Sequence, residues 1–140
     1  MIEDVKKKLA ELKIKFEEKN NKVIIYNFDT QLRENHIEAC DIVIFEDKTN
    51  YILITLVEKK TKVKIRKKLD EHVSKAKRQI VSAAEWINSK INLNPNKERF
   101  LPYVVLPFSK KQSERVTIKG RPIEIAPISE KFLNKIIYND

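Results

Sequence analysis

The sequence predicts a mixed α/β fold, a sheet antiparallel at its front and extended at its back through one crossover helix, and three observations predict it. Residues 41–60, DIVIFEDKTNYILITLVEKK, set two apolar runs rich in β-branched and aromatic residues around a polar turn at 46–50, the pattern of a β-hairpin. Residues 65–91 carry apolar side chains in steps of three and four, the period of a long helix with one buried stripe. Residues 100–108, FLPYVVLPF, then read as a short buried strand, so the helix joins two strands of one sheet.

Taken in order, Ile2, Val5, Leu9, Leu12 and Phe16 recur at helical spacing, and residues 2–18 are expected as an amphipathic helix that Asn20 and Asn21 terminate. Residues 22–28, KVIIYNF, are a strand candidate. Residues 29–39 are polar and without a clear period, and are expected to loop. In the long helix the buried stripe is Leu69, Val73, Ala76, Ile80, Ala83, Ile87 and Ile91, with Asn92, Asn94 and Pro95 stopping it. Pro102 and Pro107 give the following strand ragged ends. Residues 116–118 and 123–125 suggest a second hairpin around Lys119, Gly120, Arg121 and Pro122, and Ser129 caps a last helix that ends near Tyr138.

Composition narrows the function classes. With 140 residues the chain can bury a core without disulfides or structural metal, and a single domain over residues 1–140 is expected. A net charge of +9, from 29 basic and 20 acidic residues, favours polyanionic partners, nucleic acid first. One glycine, Gly120, excludes the phosphate-cradling and dinucleotide loops, which need several. One cysteine and two histidines, His36 and His72, exclude a Cys-rich zinc site. Cys40 has no disulfide partner, and Met1 precedes an acidic amphipathic stretch rather than an apolar leader, so an intracellular, cytoplasmic location and no membrane insertion are expected.

The chemistry concentrates at the open end of the first hairpin. Residues facing each other there have position numbers with a constant sum. A sum of 97 sets Asp41 opposite Leu56 and diagonal to Glu58; a sum of 99 sets Asp41 directly opposite Glu58; a sum of 98 separates the two onto opposite faces. With an odd sum, two carboxylates and the Lys60 ammonium cluster where the apolar runs stop, and like charges at that distance call for a cation between them. Glu34, His36 and Glu38 stand close in sequence and any of them could reach the cluster, Glu38 as a supporting carboxylate, while His72, Cys40 and Trp86 are expected in packing or surface roles, Cys40 pointing into the core away from the Asp41 face.

Asp41 at the start of one strand and Glu58-Lys59-Lys60, read as E-x-K, at the end of the next resemble the PD-(D/E)XK nuclease superfamily, which includes many restriction endonucleases and archaeal Holliday-junction resolvases. The expected order of helix, three strands, helix and strand over residues 2–108 is similar to that family's restriction-endonuclease-like αβββαβ core, with the C-terminal hairpin and helix appended. The residue before Asp41 is Cys40, where the family's name has proline, and position 83 is Ala where some branches carry tyrosine.

The resemblance implies a Mg²⁺- or Mn²⁺-dependent endonuclease hydrolysing phosphodiester bonds in DNA, an activity to which hard oxygen ligands are suited. Asp41, Glu58 and the carbonyl of Lys59 would be the metal ligands, and Lys60 would orient or deprotonate the attacking water. Gln79 or Lys75 would answer to the Gln or Lys that several branches carry on the following helix, and Glu11 is among the candidates for a first-helix glutamate. Lys62, Lys64, Arg66, Lys67 and Lys68, with Lys75 and Arg78, would meet the phosphate backbone, and cutting both strands would favour a homodimer. The alternative is a nucleic-acid-binding or protein-interaction module of the same fold without activity.

Overall fold

A computed structural model describes residues 2–60, 69–91, 97–107 and 113–138. Its elements are α1 (Ile2–Glu11), β1 (Glu17–Lys19), β2 (Lys22–Ile25), α2 (Phe28–Leu32), a 3₁₀ turn (Arg33–Asn35), β3 (Ile42–Asp47), β4 (Ile52–Lys59), α3 (Leu69–Lys90), β5 (Glu98–Val105), β6 (Glu114–Ile118), β7 (Arg121–Ile128) and α4 (Glu130–Tyr138). The strands form one mixed seven-stranded sheet in the order β1-β2-β3-β4-β5-β7-β6. β4 and β5, joined through α3, run parallel, as do β5 and β7; the other neighbours are antiparallel.

Alternation along the strands divides the core. Val43, Phe45, Ile52, Ile54 and Leu56 point to the face covered by α1, α2 and α3, where Val5, Leu9, Phe28, Ile80 and Ile87 complete one cluster. Ile24, Ile42, Ile44, Val57 and Val105 point to the other face, where α4 contributes Leu133 and Ile137. Within the described part of α3 the expected stripe is buried: Val73, Ala76, Ile80, Ala83, Ile87, and then Ile91 just beyond its end. Trp86 packs edge-on against Phe28 with ring centroids 5.4 Å apart, which fastens α2 to α3.

Several expectations need correction. The first helix ends at Glu11 rather than at residue 18. Lys13 adopts a left-handed φ of 60°, its N–H bonds the Ala10 carbonyl, and Ile14 N–H reaches back to Leu9 O, which is a Schellman C-cap. Ile14 is buried against the same cluster as Leu9, so an apolar residue off the helical stripe marks the stop, and Phe16 packs from extended chain. β2 ends at Ile25 because Asn27 turns left-handed at φ 51°, and Phe28 opens α2 with its N–H held by the Asp41 carbonyl. The expected loop at 29–39 therefore contains a helix and a 3₁₀ turn.

The second hairpin is longer than expected. Its turn is only Lys119 and Gly120, both at positive φ (54° and 75°), the geometry of a two-residue I′ turn, so Arg121 and Pro122 belong to β7. Pro102 lies inside β5, where β7 has not yet joined and β4 alone pairs with it, so its missing N–H costs no ladder bond on that side. Ser129 caps α4 as expected, its Oγ accepting the Phe132 N–H at 3.1 Å. No helix among the described residues is long and apolar enough to cross a membrane.

Candidate active site

The first hairpin fixes the site. β3 pairs with β4 from Ile42↔Val57 to Asp47↔Ile52, a constant sum of 99, which is the looser of the two odd registers and brings Asp41 opposite Glu58. The ladder runs on past Ile42, because Asp41 N–H donates to Val57 O at 3.0 Å and Lys59 N–H donates to Asp41 Oδ2 at 2.7 Å. A carboxylate oxygen thus takes the place of a backbone acceptor at the end of the ladder, which locks the Asp41 side chain. Glu58 and Lys60 share the face of Ile54 and Leu56, beneath α3, while the Lys59 side chain emerges on the other face and pairs with Glu130 of α4 at 3.2 Å.

Glu58 is the least ordinary residue of the molecule. It is 2% exposed, and its Oε2 meets the Lys60 ammonium at 2.9 Å. Its Oε1 is buried and, among the described residues, has no hydrogen-bond donor. Burial first, and then the Asp41 carboxyl within hydrogen-bonding reach, push the Glu58 carboxyl up to about 8, against the lowering pull of Lys60. Two facing carboxyls in such a place need either a shared proton or a cation between them. Lys60 in turn donates to Gln79 Oε1 of α3 at 3.0 Å, so the ammonium is held between the sheet and the helix with two of its three donors engaged among the described residues.

A metal fits this set. Among the described residues no three His, Cys, Asp or Glu side chains converge. Mg²⁺, however, is commonly held by one or two carboxylates together with waters and substrate phosphate rather than by an all-protein cage. Asp41 and Glu58 supply the two carboxylates, and the orphaned Glu58 Oε1 supplies the motive.

The other expected residues distribute as follows. Gln79 joins the site through Lys60. Glu38 is exposed and lines an open cleft of about 370 Å³ beside it, which Gln79 and Lys75 also line. Glu34, His36 and Arg78 are exposed, and Glu11, exposed at the end of α1, pairs with Lys8 at 3.7 Å. Lys62, Lys64, Arg66, Lys67 and Lys68 lie outside the described residues. Cys40 is buried as expected but in the cluster on the Asp41 side of the sheet; it lies before Asp41, where the ladder's last bonds are made, so alternation is not enforced on it. Asp29 and Arg33, which also line the cleft, were hidden from sequence reasoning because their segment has no periodic pattern. Compared with family models, with curated proteins and with solved structures, the chain matches none.

Proposed function

We propose that this chain is a metal-dependent nuclease of the PD-(D/E)XK type acting on DNA. The observation that carries the reading is Glu58: a buried carboxyl facing Asp41, one oxygen held by Lys60 and the other without a donor among the described residues. The succession α1, β2, β3, β4, α3, β5 supports a restriction-endonuclease-like core, with β1 and α2 as additions to it. The net charge of +9 supports a polyanionic substrate.

Asp41 and Glu58, with the carbonyl of Lys59, would hold Mg²⁺ or Mn²⁺. The ion, when bound, acidifies a water and offsets charge on the phosphate in the transition state. Lys60, with two donors committed to Glu58 and Gln79, directs its third N–H at the attacking water or at a non-bridging phosphate oxygen. Gln79 keeps the ammonium aimed, and the Lys59 amide keeps Asp41 from turning away. In hydrolysis the water oxygen bonds to phosphorus in line with the departing ester oxygen, which leaves with a proton.

The test is cleavage of labelled linear, nicked and four-way-junction DNA in Mn²⁺. Asp41→Ala and Lys60→Ala are each expected to lower the rate by about 10²-fold or more while the fold survives. Equal rates in wild type and both variants reject the site. Salt-sensitive DNA binding by a wild type that never cleaves would assign the chain to the inactive binding module instead.

A further inference from the structure

Resting on the nuclease reading, we propose that the cleft beside the site receives one unstacked nucleotide of single-stranded DNA next to the scissile phosphate. The cleft lies between the α2 and 3₁₀ segment, which supplies Asp29, Arg33, His36 and Glu38, and α3, which supplies Lys75 and Gln79. Gln79 is a wall of the cleft and also the acceptor for the Lys60 ammonium, so whatever fills the cleft abuts the reacting centre.

Size suits one nucleotide. A volume of about 370 Å³ is near the lower end of small-ligand pockets, roughly 300–1,000 Å³, and matches a single nucleotide. A nucleotide reaches such a space only out of the stack, which costs least in strands already single.

Chemistry decides for a nucleotide over a bare phosphate. Arg33 and Lys75 offer N–H donors for backbone phosphate, and Arg33 does so as a planar fork. His36 offers an aromatic face for the base, held by a left-handed backbone (φ 56°) whose N–H bonds Arg33 O at 2.9 Å. Asp29 and Glu38 are acceptors of the kind that base N–H groups require, the N3–H of thymine among them, and a purely cationic cleft would lack them.

The experiment is fluorescence anisotropy with fluorescein-labelled oligothymidylate and, separately, a labelled DNA duplex, in EDTA so that no turnover occurs. Wild type is expected to prefer the single strand. Arg33→Ala combined with Lys75→Ala should weaken single-strand binding about tenfold or more and reduce the slope of log affinity against log salt by about 1.4, or roughly 0.7 per lost phosphate contact. His36→Ala should weaken it about fivefold or more through lost stacking. All the substituted cleft residues lie at the surface or partly so, and circular dichroism checks that each variant is folded.

Unchanged affinity and slope in the double variant, or a wild type that prefers the duplex, overturns the cleft assignment. The two readings fail separately. Asp41-dependent cleavage with no effect of the cleft variants keeps the nuclease and removes the cleft; cleft-dependent binding without Asp41-dependent cleavage does the reverse.

Discussion

Burial holds the Glu58 carboxyl far above the ordinary glutamate range, and that difference has a measurable sign. Its carboxyl stands near 8 in the folded chain, against the ordinary glutamate value of 4.5 that it regains on unfolding. Between these values the folded state holds one more proton than the unfolded, so stability falls as pH rises. This contribution is complete below about pH 4.5 and is lost by about pH 8, at a rate of about 1.4 kcal/mol per pH unit at its steepest. Denaturant melts in EDTA across that window should show the decline in wild type and a flatter profile in Glu58→Gln, which stays neutral throughout. A wild type whose stability rises from pH 5 to 8 as steeply as that of the variant would contradict the buried protonated state. Cys40 is a second probe of the same neighbourhood. Burial pushes its thiol well above the usual range, with the charges of Glu58 and Asp41 adding to that, and it should resist alkylation until the chain is unfolded. Rapid labelling of the native protein would mean that the end of the hairpin is open to solvent.

Elements here are defined as much by their ends as by their runs, and the ends make their own predictions. Gly120 has no heavy atom within 4 Å of where a Cβ would sit, so Gly120→Ala meets only the conformational cost of φ 75°, about 1–2 kcal/mol of destabilisation read from a urea melt. Ile80, fully buried in the stripe of α3, should cost about 2–5 kcal/mol when cut to Ala, a loss of packing that no surface position on that helix would match. These contrasts also explain what the sequence disclosed. The stripe from Val73 to Ile91, the two hairpins and the Ser129 cap were legible because periodicity and capping are local properties. The stop after Glu11 was not, because it depends on Lys13 accepting a left-handed backbone so that Ile14 can reach the core. Nor was α2, since Phe28 is drawn out of the strand by the Asp41 carbonyl and by Trp86, both distant in sequence. For the site, period two predicted that Asp41, Glu58 and Lys60 share a face, but the choice between sums of 97 and 99 lay in the turn, where Lys48 N–H closes on Tyr51 O at 2.8 Å. The orphaned oxygen of Glu58 had no sequence signal at all, because burial is a property of what α3 lays over the strand end.

Across the whole molecule, charge and local chemistry oppose each other, and that opposition makes a clean test of the metal. A protein of net charge +9 repels cations on average, so a divalent ion would gain little from the overall field and would depend on its local ligands, the pair of carboxyls first among them. Those carboxyls sit on the face of the sheet roofed by α1, α2 and α3, at the end of the β3 and β4 pair, where binding energy is transmitted directly to the central strands. Mn²⁺ at about a hundred times its dissociation constant should stabilise the folded chain by about 2.7 kcal/mol, a rise of several degrees in Tm. Asp41→Asn and Glu58→Gln remove the like-charge conflict and should be at least as stable as wild type without metal, yet lose the rise. Because Asp41→Asn adds one positive charge and Glu58→Gln replaces a carboxyl that is neutral below about pH 8, a general salt effect would shrink only slightly in them, whereas site binding would vanish. Binding also displaces the Glu58 proton, so the Mn²⁺-induced shift in wild type should grow as pH rises from 6 to about 8. A Tm that responds equally to Mn²⁺ in all three proteins, or a wild type that does not respond at any pH, would leave the facing carboxyls as a buried proton-sharing pair and nothing more.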